Sequence, residues 1–224
     1  MTVDDSSSAS GLAKRYFRQT AELFGNNLYL DSVPDLSDQD GSLTLDSFRE
    51  QICKCVKCPL GHTRIKFVFG VGDPHADLVF VGEAPGRDED LQGEPFVGRA
   101  GQLLDKILEA IKRSRDDVYI CNILKCRPPD NRTPHQDEIE SCMPFLEQQL
   151  NIIKPKLIVA LGATSAHALL KVKTPLGKLR SQKWKWKNFD LVVTYHPAAL
   201  LRNPAFKRPA WEDFQWIDKL IAEA

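Results

Sequence analysis

Four cysteines are the first residues whose type and spacing suggest chemistry. Cys55-Val-Lys-Cys58 forms a CxxC pair, Cys126 follows an apolar stretch, and Cys142 lies in the segment after it. Two thiolates held close together can grip one side of a metal centre, and two more can close the other. Four such donors suit either tetrahedral zinc or a [4Fe–4S] cluster. A second CxxC would point to a zinc ribbon, and the wide Cys126–Cys142 gap is less typical of zinc. Four buried free thiols are the remaining reading. Cys53 and Cys121 stand outside the set, Cys121 as a small core residue of a strand and Cys53 as a bystander or substitute ligand.

Three further stretches carry polar or aromatic groups in places where a ligand could meet them. Gly82-Glu83-Ala84-Pro85-Gly86-Arg87-Asp88-Glu89-Asp90 has small residues that let backbone approach a ligand, and carboxylates that can position a water. It lacks the Lys of a GxxxxGK phosphate loop and is not the dinucleotide fingerprint. Pro95-Phe96-Val97-Gly98-Arg99-Ala100-Gly101 puts an aromatic in a loop before a helix, where it can stack on a flat ring or plug the core. His196-Pro-Ala-Ala-Leu200-Leu201-Arg202-Asn203-Pro204 offers a donor followed by an apolar tip ending in Arg.

The elements that must position these groups alternate strand and helix. Apolar strands are expected over 76–83, 117–124, 156–162 and 189–197. Helices are expected over 45–54 (capped by Thr44), 100–111, 134–153 (Thr133 as cap, Pro134 first), 164–170 and 209–224. Strands this apolar are buried on both faces, and intervening helices imply a parallel sheet. Ligands of such sheets sit at the carboxyl ends of the strands. That nominates Gly82–Gly86, Asn122–Cys126, Gly162–Thr164 and His196–Arg202.

Length and composition set the frame. The 224 residues suffice for one domain with a hydrophobic core, and 42% apolar with 27% charged residues is a globular composition. No apolar run reaches the ~18 residues of a membrane span, and the acidic, polar start does not read as a signal peptide. A cytoplasmic protein is expected. The zero net charge hides an asymmetry. Residues 1–50 hold nine acidic and four basic side chains, whereas 171–208 hold ten basic and one acidic. The basic segment is either a face for a polyanion or a solvated loop. Residues 1–43 read as an N-terminal extension, with a disordered start, a short amphipathic helix over 11–25 and an acidic linker over 31–43. Residues 44–224 read as the folded domain.

Taken together, CxxCPLxxxR (55–64), VFGxGxPxADLxFVGEAPGxxED (68–90), GxPFVGRAGQLL (93–104), YICNILKCRPPxNRxP (119–134) and VTYHPAALLRNP (193–204) resemble the iron–sulfur uracil-DNA glycosylases, family 4 of the uracil glycosylase superfamily. The resemblance spans about residues 52–216. It implies a three-layer α/β/α fold around a central four-stranded parallel sheet. It implies a monomeric enzyme that flips uracil out of double- or single-stranded DNA and hydrolyses its N-glycosidic bond, with no membrane partner. Cys55, Cys58, Cys126 and Cys142 would bind a [4Fe–4S] cluster. Glu83 would position the water, Phe96 stack on uracil beside Gly82, Asn122 read its Watson–Crick edge, and His196 hydrogen-bond O2. Glu89 and Asn131 would form a supporting polar pair. Leu200, Leu201 and Arg202 would form the tip that wedges into the duplex. Ala84 stands where many uracil glycosylases carry Asp or Asn, which excludes a catalytic carboxylate there. The rival readings are a cluster-stabilised DNA-binding module without catalysis and a protein that retains uracil without releasing it. Neither a bare DNA binder's affinity nor its fold requires Glu83, Asn122 and His196.

Overall fold

The computed structural model describes residues 43–223. The helix expected over 11–25 and, except for Leu43, the linker over 31–43 lie outside them. Four strands make the parallel core: β2 (Leu78–Gly82), β3 (Tyr119–Asn122), β4 (Leu157–Leu161) and β6 (Phe189–Thr194). Two short antiparallel strands, β1 (Val71–Gly72) and β5 (Trp184–Trp186), extend it to six in the order β1-β3-β2-β4-β6-β5. The four-stranded sheet expected from the sequence is therefore the parallel centre of a mixed six-stranded one. β1 is too short and glycine-bearing to read as a strand. Trp-Lys-Trp in β5 does alternate with period two, but its lysines make it resemble a basic loop.

Alternation within the strands builds two apolar layers. Leu78, Phe80, Ile120, Val159 and Val192 pack under α4 (Arg99–Ala110) and α9 (Lys207–Ala222), against Leu104, Leu108, Phe214 and Ile217. Their neighbours Val79, Val81, Cys121, Ile158 and Val193 pack on the opposite face against α1 (Leu45–Ile52), α5 (Gln136–Ile153) and α6 (Ala163–Leu170). Each fully buried Leu, Val or Phe contributes about 1.5–3 kcal/mol. The smaller helices are α2 (Leu60–Thr63), α3 (Arg87–Gln92), α7 (Leu176–Leu179) and α8 (Pro197–Arg202). The three-layer α/β/α reading holds.

Thr44 caps α1 as expected, its hydroxyl accepting the Ser47 N–H at 3.2 Å. Thr133 and Pro134 do not start α5. That helix begins two residues later, with His135 as cap and the Glu138 carboxylate accepting the His135 N–H at 2.8 Å. A carboxylate at the third helical position satisfies an orphan donor and faces the positive end of the helix dipole.

The chain passes from β2 through α4 to β3, then crosses back through α5 to β4 on the other side of β2. Strand order reverses between β2 and β4, so a crevice opens at their carboxyl ends. Among the described residues no helix is long and apolar enough to cross a membrane.

Candidate active site

That crevice is a cleft of about 770 Å³ lined by Glu83, Phe96, Asn122, Gly162 and His196, with Arg132 and Arg202 at its edge. Glu83, Asn122 and His196 come from the ends of β2, β3 and β6, so only the fold brings them together.

Asn122 is 2% exposed, and its Oδ1 is buried with no hydrogen-bond partner among the described residues. An unpaired buried acceptor costs about 1–3 kcal/mol, so this atom is poised for a donor from outside the protein. Gly82 makes room for it. A Cβ there would run into Asn122 Oδ1 and come within 2.7 Å of the Phe96 ring.

His196 follows β6 and caps α8. Its Nδ1 accepts the Ala198 N–H at 3.1 Å. Burial, and then the Arg202 guanidinium, pull its pKa down to about 4. The imidazole is therefore neutral at pH 7, and with Nδ1 accepting, its proton sits on Nε2, which is a donor. The Phe96 and His196 ring centroids are 5.3 Å apart at 28°. A third ring needs about 7 Å between them, two van der Waals separations, so a planar ligand does not slide between the two. Gly162, at φ +91, carries the chain past His196. A Cβ there would lie 3.0 Å from that of His196.

Phe96 has φ +55, in the left-handed region that non-glycine residues avoid. The neighbourhood holds it there. Arg115 donates to the carbonyls of Phe96 (3.0 Å) and Pro95 (2.7 Å) and is anchored by Asp105 at 3.0 Å. Gly101 lets the Phe96 carbonyl press against the first turn of α4, where any Cβ would collide with it. Glu89 completes the clamp. One carboxylate oxygen accepts the Val97 and Gly98 N–H groups at 3.1 and 3.0 Å, and the other accepts Gly86 N–H at 3.0 Å.

Two sequence expectations change here. Glu89 and Asn131 both line the cleft but are not bonded to each other. Glu89 fixes the Phe96 loop, while Asn131 Oδ1 accepts from Arg127 Nε at 2.7 Å. The apolar tip is also smaller than expected. Leu200 is 2% exposed and belongs to the interior, whereas Leu201 is 41% exposed and Arg202 is exposed beside it. Successive helical residues point about 100° apart, which here turns Leu200 inward and leaves Leu201 outside.

The lysines of 183–187 do not join the cleft. Lys183 donates to Asp190 at 3.1 Å, Lys185 pairs with Asp190, and Lys187 pairs with Glu147. β5 runs alongside β6 with Trp186 opposite Phe189, at the end of β6 away from His196.

On the other side of the sheet, Cys55, Cys58, Cys126 and Cys142 surround one small cavity with Phe67, Ser141 and Phe145. Among the described residues no three Cys, His, Asp or Glu side chains approach closely enough to hold a single metal ion. All six cysteines are free. Burial pushes Cys142 up to about 11 and raises Cys126, opposed in part by Arg64. Both would have to lose protons on binding a metal. The protein already presents donors to the sulfurs. Arg64 reaches Cys126 Sγ at 3.3 Å while gripping the Cys55 and Cys53 carbonyls at 2.6 and 2.9 Å. Lys57 N–H points at Cys55 Sγ at 3.4 Å. Four soft ligands with a cation and backbone donors around them fit an anionic thiolate-held metal group. Cys53 instead turns its thiol to the Glu50 carbonyl at 3.4 Å, and Cys121 is fully buried in β3.

Sequence reasoning missed Arg115 and Lys125. Arg115 sits in a turn before β3 and carries no pattern that separates it from surface arginines. Lys125 reads as one more charge after a strand, yet it is 0% exposed.

The comparisons with known proteins agree with this geometry. The model of the uracil DNA glycosylase superfamily matches residues 69–216. A type-4 uracil-DNA glycosylase of Archaeoglobus fulgidus is 43% identical over 188 residues, covering 80% of this chain and 94% of the relative. One from Thermotoga maritima is 45% identical over 176 residues, 77% of this chain and 92% of the relative. A type-5 enzyme of Pyrobaculum aerophilum is 32% identical over 149 residues, 59% of this chain and 66% of the relative. With so large a share of both chains aligned to the type-4 proteins, and the strand-end residues gathered in one cleft, the chain belongs to the type-4 uracil-DNA glycosylases of the uracil DNA glycosylase superfamily.

Proposed function

We propose that this chain excises uracil from DNA, flipping the nucleotide into the cleft and hydrolysing its N-glycosidic bond to leave an abasic site. The observation that carries the reading is the pairing of His196, a neutral Nε2–H donor, with Asn122, a buried acceptor without a partner among the described residues. Uracil presents the complements: an O2 acceptor and an N3–H donor. The Asn122 amide gives its N–H to O4. Cytosine offers an amino group and a bare N3 instead, which an amide held in this orientation does not match.

Flipping costs a few kcal/mol of stacking and pairing. Leu201 fills the vacated place and Arg202 meets the backbone. Leu200 supports them from within. Phe96 stacks on the base with the face turned away from His196. As the C1′–N1 bond breaks, N1 leaves with the bonding electrons and negative charge grows on O2. The His196 donor then binds the transition state more tightly than the substrate. Glu83 orients the water whose oxygen bonds C1′, and its charge stabilises the cationic sugar. The water's released proton balances the uracil anion. Glu89 holds the Phe96 loop, and Asn131 holds Arg127 at the cleft edge.

Cys55, Cys58, Cys126 and Cys142 are proposed to hold a [4Fe–4S] cluster. Bound there, it supplies thiolate bonds that cross-link residues 53–64 to the β3–α5 loop and to α5. The proposal includes a monomer in the cytoplasm, a reducing compartment in keeping with six unpaired thiols. The test is direct. A duplex and a single strand carrying one uracil are incubated with the chain, then treated with alkali. Strand breaks confined to the uracil position are expected, with none at thymine or cytosine. Intact uracil DNA after prolonged incubation would overturn the reading.

A further inference from the structure

Lys125 occupies a position that ordinary packing does not explain. It is 0% exposed, and its ammonium forms no salt bridge with a carboxylate among the described residues. Nζ donates to the main-chain carbonyl of Asn122 at 2.8 Å. Burying a lysine is costly unless it is paired and hydrogen-bonded. A leucine or methionine would fill the same space without that cost, so the hydrogen bond is the reason for the residue.

The backbone of Lys125 is engaged as well. Its N–H points toward the Cys142 sulfur, and its carbonyl accepts the Val68 N–H at 2.9 Å. Next in sequence comes Cys126, whose sulfur takes Arg64. At the other end of the same short strap, Ile123 and Leu124 donate to the carbonyls of Gly82 and Glu83 at 3.0 and 3.1 Å. Residues 122–126 thus run from the uracil-reading amide to the thiol quartet. Lys125 bonds to Asn122 with its side chain and precedes Cys126 of the quartet directly.

We propose that Lys125 is a positioning residue that ties the arrangement of the thiol quartet to the orientation of Asn122, so that an ordered metal site keeps the base-reading amide in register. This rests on the function proposed above and deepens it. The metal site serves base recognition through five residues of chain, as well as stability. The Lys125 side chain, through its Nζ donor, fixes the carbonyl on which the Asn122 peptide turns.

The test uses the full-length protein with its metal bound and compares Lys125→Met with Lys125→Gln. Met fills the volume without a donor, whereas Gln keeps one. Iron per chain and absorbance near ~400 nm should stay at the wild-type level in both. On single-stranded uracil DNA, Lys125→Met should raise KM about tenfold, the scale of one lost orienting hydrogen bond. Its kcat should fall less than about threefold, and inhibition by free uracil should weaken in parallel with KM. Lys125→Gln should recover part of the loss. Amide exchange of Ile123 and Leu124 should accelerate in the Met variant and leave β4 unchanged. The coupling is wrong if the Met variant keeps wild-type KM and wild-type exchange. It is also wrong if both variants lose iron in proportion to activity, for then Lys125 serves the metal site alone. Wild-type protein that released no uracil would sink the proposed function instead. The exchange comparison would still read the strap.

Discussion

The cleft and the thiol cavity lie at the two ends of the strap 122–126 and treat their polar groups in opposite ways. Around the sulfurs the protein supplies its own donors: Arg64, the Lys57 N–H and the Lys125 N–H. In the cleft it withholds them. Among the described residues Asn122 Oδ1 has no partner, and His196 spends only Nδ1 on the backbone, with no partner at Nε2–H. A group that stays bound can be surrounded by permanent bonds. A substrate that arrives and leaves needs unmet hydrogen-bonding capacity, and the protein carries the cost of that capacity between turnovers.

Breaking the cleft should produce the largest change. His196→Ala should slow single-turnover uracil release about 100–1,000-fold, the effect of removing one donor aimed at developing charge. Glu83→Gln keeps shape but removes the negative charge. It should also slow the chemical step, with DNA affinity measured separately and little altered. Near-normal rates in both variants would show that the strand-end residues are not the machinery. In wild type, ring NMR should find His196 as the Nε2–H tautomer, titrating near pH 4 rather than 6.5. The unfolded imidazole takes up its proton at higher pH than the folded one. His196 therefore adds full stability above about pH 6.5, and that contribution is lost as pH falls toward 4.

The thiol cavity should respond in stability rather than in one chemical step. Cys142→Ser should lose iron and melt well below wild type. Cys53→Ser, whose thiol faces the Glu50 carbonyl, should keep both iron and melting temperature. Equal loss from the two variants would remove the distinction between ligand and bystander.

The smallest effects separate the cleft's edge from the basic strand. Arg202→Ala should weaken binding to all DNA sequences severalfold and lower the salt slope by about one. Lys185→Ala, taken from a lysine already paired with Asp190, should change neither by a measurable amount. The reverse result would move the DNA face to β5.

Most of the sheet was legible because four apolar runs flanked by helical segments allow few arrangements. The edge strands were not: pairing, rather than composition, makes strands of Val71–Gly72 and Trp184–Trp186. Site residues at strand ends could be nominated from position alone. What could not be read was direction. Leu200 and Leu201 are identical letters, and only helix phase separates the buried one from the exposed one. Glu89 looked like half of a supporting polar pair with Asn131, yet three backbone N–H groups claim it. The basic run 171–208 read equally as a polyanion face or a solvated loop, because sequence charge cannot report that Asp190 and Glu147 lie beside three of its lysines.

The left-handed turn at Phe96, clamped by Arg115, Glu89 and the close approach at Gly101, has a consequence for how lesions are found. On the function proposed above, the ring's seat is formed without DNA. Encounter is then paced by the nucleic acid, by how often a given uridine swings out of its stack. A weakly paired or unpaired uridine swings out more often, and such sites would be cleared first by a protein that only has to wait.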